Sequence, residues 1–439
     1  MANTGRIRHV AEIVKLRLPK KPILVLSAMG DTTDNLLEAG EAALQKGTVQ
    51  VEKIEGLHLN TAAELGLGDA AIGDIRLLLE ELRKLLTGIS LIRELTDKTK
   101  DYLVSFGERL SVRIAAAYFN TLGIKASAID AWDGGFVSDS GFTSAELKEE
   151  TWKLIPEKLL ASAEGGLLQI VTGFIAKDGK GNITTLGRGG SDLTATMIAA
   201  ACKAEEVQFW KDVDGILTAD PRIVENSRPL EALTYEAASE LGYFGTQVLH
   251  PRAIQPCMKT GIPVLVKNSY NPDAAGTRIV QTLAEKANPV QTISCRENIT
   301  LVDIVSSRML GQHGFLAEAF SCFAKQRISV DMLATSEVSI SLTLDTAQDL
   351  GPLITDLSRI ANVEIKTGRA IVTIIGDVHR SSEILARTFN VCKLLGVQVQ
   401  MISQGASKVN ISFIVMDKEA AEVVKALHAD FFDSEGGQT

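Results

Sequence analysis

The pattern of apolar and polar positions predicts alternating buried strands and amphipathic helices over most of the chain. Apolar, β-branched runs at 22–27, 126–129, 136–138, 167–174, 207–210 and 264–266 are typical of strands. Helical periodicity covers 7–18, 35–44, 57–92, 101–122, 146–160, 193–203, 235–241 and a segment ending at Gly261. Strand, polar turn and helix in this order predict an α/β fold whose ligand groups gather at the carboxyl ends of the strands.

The last part of the chain contains a repeat. Residues 284–298 are polar and irregular, which favours a linker. Beyond them the alternating segment 340–344 matches 409–413 at a spacing of about 69 residues, and the helices before these segments match in the same way. Each repeat reads strand, helix, strand, strand, helix. The second repeat lacks a closing strand, and we predict that 290–294 supplies it, which nests the first repeat within the second.

Composition narrows the class of protein. The 439 residues are enough for about three domains. A formal charge of −9 disfavours a general nucleic-acid or membrane-surface role, because both favour a basic face. Five scattered cysteines predict reduced thiols rather than zinc ligands or disulfides. No apolar run reaches the length of a membrane span, and the chain begins with a helix rather than a signal peptide.

The segment 185–192 (TLGRGGSD) is the strongest candidate for a binding site. Its three glycines allow backbone N–H groups to converge on an anion, and the small-residue helix that follows adds the positive end of its dipole. A glycine-rich turn before a helix is more often an ordinary cap. The opposite charges of Arg188 and Asp192 within the turn favour a phosphate site instead.

Polar residues at other turns are further candidates, each with a plainer alternative. Thr33 follows the first strand, where helix capping is at least as common as ligand contact. Glu108 is predicted at a helix start beside a glycine, where an exposed first-turn carboxylate is the alternative. The run 211–222 offers carboxylates and cations for ribose, Mg²⁺ or polyphosphate, although Asp-Gly and Asp-Pro also form turns. His250, before a proline, predicts a structural hydrogen-bonding group.

Seven segments in order make the chain resemble the aspartate kinase family. They are SFGERLS (105–111), TLGRGGSD (185–192), WKDVDGILTADPR (210–222), FGTQVLHP (244–251), VKNSYNP (266–272), GFLAEAF (314–320) and SVDMLATSE (329–337). The sequences of the motifs WKDVDG and VKNSYNP are similar to those of plant-type and lysine-sensitive monofunctional members of the family.

The resemblance implies a three-layer αβα amino acid kinase domain of the carbamate-kinase-like type, followed by two ferredoxin-like (βαββαβ) ACT domains. The implied kinase domain is 1–285, with an amino-acid-binding lobe at 1–165 and a nucleotide-binding lobe at 166–285. The first ACT domain would be 299–369, and the second would combine 290–298 with 370–432.

The implied reaction transfers the γ-phosphate of ATP, with Mg²⁺, to the β-carboxylate of L-aspartate. The product is 4-phospho-L-aspartate, at the first step of lysine, threonine and methionine biosynthesis. A carboxylate acceptor is already ionised at neutral pH, so no general base is needed. Alignment and charge neutralisation remain as the protein's task.

By resemblance, the functional residues fall into two groups. On the aspartate side, Arg188 would pair with the α-carboxylate, Glu108 would hold the ammonium group, and Thr33, Ser191 and Asp192 would line the pocket. Arg188, Asp192 and Ser27 would act at the reacting centre. The nucleotide side would comprise Lys211, Asp212, Leu217, Asp220, Arg222, Lys267, Asn268 and Ser269. This assignment requires the Arg188 guanidinium to lie at the cleft between the two lobes.

The resemblance also implies feedback inhibition by L-lysine through the ACT domains. The matching effector residues are Met309, Gly314, Phe315, Leu316, Val330, Asp331, Thr335, Ser336 and Glu337. Asp331 and Glu337 suit a cationic effector, whereas Phe315 and Val330 are as readily explained as core. An ACT-mediated homodimer or a tetramer is expected, in the cytoplasm or the plastid stroma, and S-adenosylmethionine as a second effector stays open.

One departure concerns the start of the chain. The family opens with a strand bearing Lys-Phe-Gly-Gly, which this sequence lacks, and Lys15, Lys20 and Lys21 are not followed by Gly-Gly. Losing a charge-stabilising donor commonly costs ~10²–10³ in rate. We therefore expect a truncated, poorly active form. The alternatives are a lysine-sensing homologue with impaired catalysis, or a kinase of another small substrate such as acetylglutamate or a nucleotide.

Overall fold

A computed structural model describes residues 1–162, 166–244, 249–283, 288–306, 309, 313–345, 349–404 and 410–433. The chain divides into two compact units. Unit 1 comprises Met1–Asp214 and Leu249–Gln281, and unit 2 comprises Gly215–Val248 and Thr282–Thr439. The predicted nucleotide-binding lobe is therefore divided between the two units.

The described helices and strands follow the predicted order. The helices are α1 Thr4–Lys15, α2 Thr32–Lys46, α3 Glu52–Glu64, α4 Asp69–Ile92, α5 Asp97–Thr121, α6 Thr151–Ser162, α7 Gly190–Cys202, α8 Tyr235–Phe244, α9 Pro251–Thr260, α10 Phe315–Gln326, α11 Gly351–Leu357, α12 Ser381–Leu395 and α13 Asp417–His428. The strands are β1 Ile23–Leu26, β2 Ala126–Ile129, β3 Val137–Ser138, β4 Leu168–Thr172, β5 Ile175–Asp178, β6 Ile183–Thr185, β7 Val207–Lys211, β8 Ala232–Thr234, β9 Val264–Asn268, β10 Thr277–Val280, β11 Val290–Val305, β12 Leu333–Thr335, β13 Ser339–Leu344, β14 Asn362–Gly376, β15 Met401–Ser403 and β16 Asn410–Met416. Among the described helices, none is both long and apolar enough to cross a bilayer.

Unit 1 is layered, with helices on both faces of a parallel sheet. Strand β4 lies between β1 and β2 and is parallel to both. Ile170 faces a core formed with α1 and α5, whereas its neighbour Val171 faces a core formed with α6 and α7. Alternation along a strand sends successive side chains to opposite faces. This is the three-layer αβα arrangement, and it brings the carboxyl ends of β1 and β4 to one edge.

Several helix predictions in unit 1 were wrong at their boundaries, including 146–160, which is α6 Thr151–Ser162. The predicted helix 57–92 is two helices, because the chain turns at Gly66, whose φ is +69°. The helix predicted to start at 101 begins earlier, at Asp97, where the Thr96 hydroxyl accepts a hydrogen bond from the Thr99 N–H. Glu108 therefore lies inside α5 rather than at a helix start, and it is buried rather than exposed.

Unit 2 is built on a six-stranded sheet of order β12-β13-β11-β14-β16-β15. Its pairings are antiparallel. The long strand β11 pairs through 300–305 with β13, and through 290–296 with the end of β14 at 371–376. Helices α10 and α11 cover the first half of this sheet, and α12 and α13 pack in a separate core on the second.

The sequence repeat has a structural counterpart within unit 2. Strand β13 corresponds to β16, α10 to α12 and β12 to β15. The closing strand of the second half comes from the first residues of β11, as the register Val290↔Gly376 shows. The linker prediction was therefore wrong from residue 290 onward, because the polar residues there belong to the paired strand β11. Residues 284–287 lie outside the described part.

Candidate active site

The ends of β1 and β4 open onto a cavity of about 380 Å³. Because the two strands are parallel neighbours, the residues that follow them meet at one edge, where the Gly173 N–H donates to the Leu26 carbonyl at 2.9 Å. The cavity is lined by Ser27, Ala28, Gly30, Thr33, Glu108, Phe174, Gly187, Gly189, Gly190, Ser191, Asp192 and Lys211. Segments that are far apart in the sequence thus converge on one volume.

The glycine turn forms one wall of this cavity. Gly189 is the N-cap of α7 with a φ of +71°, and a Cβ there would lie 2.5 Å from the Cβ of His250. A Cβ on Gly173 would lie 2.6 Å from the hydroxyl of Ser191. Both positions therefore exclude larger residues. Because α7 begins at Gly190, Ser191 and Asp192 occupy its first turn, where free backbone N–H groups and the helix dipole favour an anion.

Glu108 presents a buried carboxylate to the same cavity. It is 3% exposed, and its Oε1 accepts a hydrogen bond from the Ala28 N–H at 3.2 Å. Its Oε2 is buried without a hydrogen-bond partner among the described residues. Burial raises the pKa of Glu108 to about 8, and the Ala28 N–H opposes the rise. A buried acceptor of this kind suits a cationic ligand group.

Lys211 and Asp192 form an ion pair in the cavity wall. The Nζ of Lys211 lies 3.1 and 3.0 Å from the two carboxylate oxygens of Asp192. Burial raises the pKa of Asp192, and Lys211 opposes that rise. Lys211 ends β7, so the strand places a fixed cation beside the N-terminus of α7.

Arg188 lies on the turn between two cavity-lining glycines, and its side chain is exposed. Within the described part of the chain its side chain makes no hydrogen bond and does not line the cavity, so this structure does not place the guanidinium where its predicted role requires it. Burial lowers the pKa of His250, and the nearby charge of Arg188 lowers it further. His250 caps α9, because its Nδ1 accepts from the Arg252 N–H at 3.3 Å. This is the structural role expected for it.

The second predicted strand exit lies beside the first residues after β7. Strands β7 and β9 are parallel with Lys211 opposite Asn268, and the Ser269 N–H donates to the Lys211 carbonyl at 2.8 Å. The Asn268 side chain donates to Asp214 at 2.8 Å. Lys267 lies over the Trp210 ring, and burial lowers its pKa. Asp212 is exposed.

The other three predicted nucleotide residues belong to unit 2. Arg222 is exposed and pairs with Asp220, with its Nη2 2.6 Å from Oδ2. The Leu217 carbonyl accepts from the Thr292 hydroxyl at 2.9 Å. These bonds lie within unit 2, and the three residues do not line the cavity described above.

Models of two known domain families match this chain. The Amino acid kinase family model matches residues 1–268, and an ACT domain model matches 302–348 and 372–431. Aspartokinase 1, chloroplastic, from Arabidopsis thaliana is 48% identical over 99% of this chain and 79% of that protein. The chain belongs to the aspartokinase family.

Bacterial aspartokinases extend the match to structures. Lysine-sensitive aspartokinase 3 of Escherichia coli is 33% identical over 94% of this chain and 92% of that protein. The crystal structure of E. coli aspartokinase III with aspartate and ADP (R-state) superposes with a TM-score of 0.84 at 31% identity, covering 98% of this chain and 97% of that one. The form with lysine and aspartate (T-state) gives 0.83 at 32% identity over the same shares.

The residues predicted for lysine lie around α10 and β12 of this aspartokinase. Gly314 caps α10, and Phe315, Val330 and Met309 contribute to the core of the first repeat. The Asp331 N–H donates to the Thr343 carbonyl at 2.9 Å. The exposed members are Gly314, Leu316, Thr335, Ser336 and Glu337. Part of the FGTQVLHP motif, residues 245–248, lies outside the described residues.

Sequence reasoning did not assign a role to several residues near these groups. Phe174, which lines the cavity, has a φ of +68°, unusual for a bulky residue. Asp214 accepts a hydrogen bond from the Asn268 side chain, a contact that does not distinguish it from the neighbouring aspartates in the sequence. Arg6 stacks on the Tyr270 ring at 3.4 Å and donates to Ser269 at 2.7 Å. The sequence around Arg6 shows only a helical period. That period gives no information about partners more than 260 residues away, such as Ser269.

Proposed function

We propose that this aspartokinase-family chain is an aspartate kinase, which transfers the γ-phosphate of ATP to the β-carboxylate of L-aspartate. The observation that supports it best is that one cavity has a site for a cationic group beside a site for anionic groups. The buried Oε2 of Glu108 is an acceptor that no described residue bonds, while Lys211 and the N-terminus of α7 attract negative charge. An α-amino acid with an acidic side chain, bound beside a polyphosphate, supplies an ammonium group for the first site and anionic groups for the second.

In this proposal each residue has a defined task. Glu108 holds the substrate ammonium group, and Arg188 closes on the α-carboxylate from its exposed position on the turn. Thr33, Ser191 and Ser27 orient the β-carboxylate. Lys211 and the α7 N–H groups neutralise charge that develops on the transferring phosphoryl oxygens, and Asp192 holds Lys211 in place.

Binding of the nucleotide is proposed at the exits of β7 and β9. Lys211, Asp212, Lys267, Asn268 and Ser269, all in unit 1, form this side. The described residues contain no group of three or more carboxylate, histidine or cysteine ligands. Mg²⁺ would therefore be held chiefly by the phosphates and water, as is usual for this ion.

Regulation and assembly complete the proposal. We assign 1–285 to the kinase domain, 299–369 to the first ACT domain, and 290–298 with 370–432 to the second. Lysine binding at the residues around α10 and β12 would inhibit by favouring a less active arrangement. A homodimer through the ACT domains is proposed. A plastid location is supported by the chloroplastic relatives, with the bacterial cytoplasm as the alternative.

The test is a substrate panel with coupled detection of ADP. Purified protein is given MgATP with L-aspartate, L-glutamate, acetylglutamate or a nucleoside monophosphate, with and without L-lysine. Aspartate-dependent ADP release that falls with lysine and is lost in Arg188→Ala supports the proposal. Lysine binding by calorimetry without ADP release would instead identify a lysine sensor, and turnover of another acceptor would overturn the substrate assignment.

A further inference from the structure

The glycine turn is held from two sides by charged residues outside the cavity. Asp101, on α5, is 1% exposed, and its Oδ2 accepts from the N–H groups of Thr143 and Thr185, each at 2.9 Å. Its Oδ1 accepts from the Thr185 hydroxyl at 2.7 Å. One carboxylate thus joins the loop 143–145 to the residue at which the glycine turn begins.

Arg252, on α9, joins the same two segments through their carbonyl groups. Its guanidinium donates to the Leu186 carbonyl at 2.9 Å and to the Ala145 carbonyl at 2.7 Å. Between these two bridges, the Ala145 N–H donates directly to the Thr185 carbonyl at 2.8 Å. Arg252 therefore joins the loop and the turn by donating to a carbonyl of each, and Asp101 joins them by accepting from an N–H group of each.

This arrangement determines where the cavity-lining part of the turn can lie. A Cβ on Gly187 would come within 3.1 Å of the Ser144 hydroxyl, so the loop lies directly against the turn. Asp101 is also two helical turns before Glu108 on α5, on the same helix face. The helix that carries the candidate ammonium-binding carboxylate therefore also fixes the start of the candidate phosphate-binding turn.

We propose that Asp101 and Arg252 are positioning residues, which set the distance between the glycine turn and Glu108 for the transfer reaction. The inference rests on the proposed function, because the turn carries Arg188, Ser191 and Asp192. Neither residue lines the cavity. Both act through backbone groups of the turn, and a displacement of about 1 Å there is enough to cost roughly a hundredfold in rate.

The decisive variants are Arg252→Lys and Asp101→Ala, with Arg93→Lys as the matched control. Arg93 also donates to two backbone carbonyls in unit 1, those of Leu44 and Gln45, each at 2.9 Å, and it is remote from the cavity residues in the sequence and in its contacts. Lysine cannot span two carbonyls as the planar guanidinium does. Asp101→Asn keeps the shape, and the Thr185 hydroxyl can reverse to accept from the new amide.

Two readouts separate positioning from simple loss of stability. We expect kcat with aspartate to fall at least about tenfold in Arg252→Lys and Asp101→Ala, with a smaller change in KM for ATP. In Asp101→Asn and Arg93→Lys, kcat should stay near the parent value. Amide hydrogen exchange across 185–190 should accelerate about tenfold in the first two variants only.

The hydrogen-exchange experiment does not depend on catalysis, so it remains informative even if the parent protein has no aspartate kinase activity. In that case the proposed function fails while the positioning role is still measured. The inference is overturned if exchange across 185–190 and kcat change equally in Arg252→Lys and Arg93→Lys, or if Asp101→Asn is as impaired as Asp101→Ala.

Discussion

At the scale of single residues, Glu108 links the fold to substrate binding through its proton. Burial raises its pKa from 4.5 to about 8, so the free protein carries it largely neutral at pH 7. The ammonium group of aspartate pairs with the ionised form. Aspartate must therefore displace a proton below about pH 8, and binding should strengthen as pH rises toward that value.

We predict that kcat/KM for aspartate rises by up to about tenfold per pH unit between pH 6 and 8 and then levels off. The measurement is initial rate against aspartate concentration at constant ionic strength. Glu108→Gln should raise KM for aspartate and flatten the profile. The profile of kcat/KM for ATP at saturating aspartate is the control, because Glu108 is already ionised in that complex. A profile that falls from pH 6 to 8 would exclude this role.

The Lys211–Asp192 pair gives a second residue-scale prediction. Removing the cation in Lys211→Met should lower kcat by ~10²–10³, the cost of losing one charge-stabilising donor. Asp192→Asn should also lower kcat, because the carboxylate bonds Lys211 at 3.0 Å and fixes its position. Residues that act as one unit are non-additive, so the double variant should be little worse than Lys211→Met alone. Independent, multiplying effects would show that Asp192 acts directly.

At the scale of elements, the start of α7 depends on a conformation that only glycine adopts easily. Gly189 and Gly66 have nearly equal φ values of +71° and +69°, but a Cβ on Gly66 meets nothing within 4 Å. Gly66→Ala should therefore cost about 1–2 kcal/mol from backbone strain alone. Gly189→Ala adds the overlap with His250, displaces α9 from the turn, and should abolish most activity.

Thermal unfolding and initial rates on both variants test this difference. Gly66→Ala is expected to lower Tm while keeping kcat. If Gly189→Ala lost no more activity than Gly66→Ala, the contact between the turn and His250 would have no catalytic importance.

These elements also show what sequence reasoning could reach. The glycine turn was identified because glycine spacing and opposite charges are local features, and the structure places the turn against a cavity. The position of Glu108 within α5 was misjudged because capping by Thr96 shifts the helix start by a few residues. The Asp101 and Arg252 contacts join segments far apart in sequence, and no local pattern could reveal them.

At the scale of the whole molecule, the repeat in the sequence was visible because alternation and helical periods recur. The division of the chain into units was not visible. Residues 215–248 belong to unit 2, although they follow β7 directly and carry part of the predicted nucleotide side. Tertiary contacts assign them: the Thr292 hydroxyl donates to the Leu217 carbonyl and the Ile293 N–H to the Thr218 carbonyl, each at 2.9 Å, and Ala219 and Val224 pack in the core of unit 2.

These bonds give the lysine proposal a physical route. Strand β11 pairs with β13 in the first repeat and with β14 in the second, and its residue Thr292 is bonded to the segment that contains Leu217 and Asp220. A rearrangement of the repeats on lysine binding, as proposed, would reach that segment directly through β11. Allosteric coupling requires such an element with two arrangements that both sites bias.

We predict that Thr292→Val raises the half-inhibitory concentration of lysine about fivefold or more, because it removes one of these bonds while keeping the side-chain shape. Activity without lysine should stay close to the parent value. Thr373→Val is the matched control, since Thr373 is also buried and its hydroxyl bonds the Ser412 hydroxyl at 2.8 Å between β14 and β16 rather than the 217–220 segment. Lysine titrations of both variants at fixed aspartate and ATP decide the matter. Equal shifts in the two would mean that any weakening of the sheet relieves inhibition, and no shift in Thr292→Val would show that the signal bypasses β11.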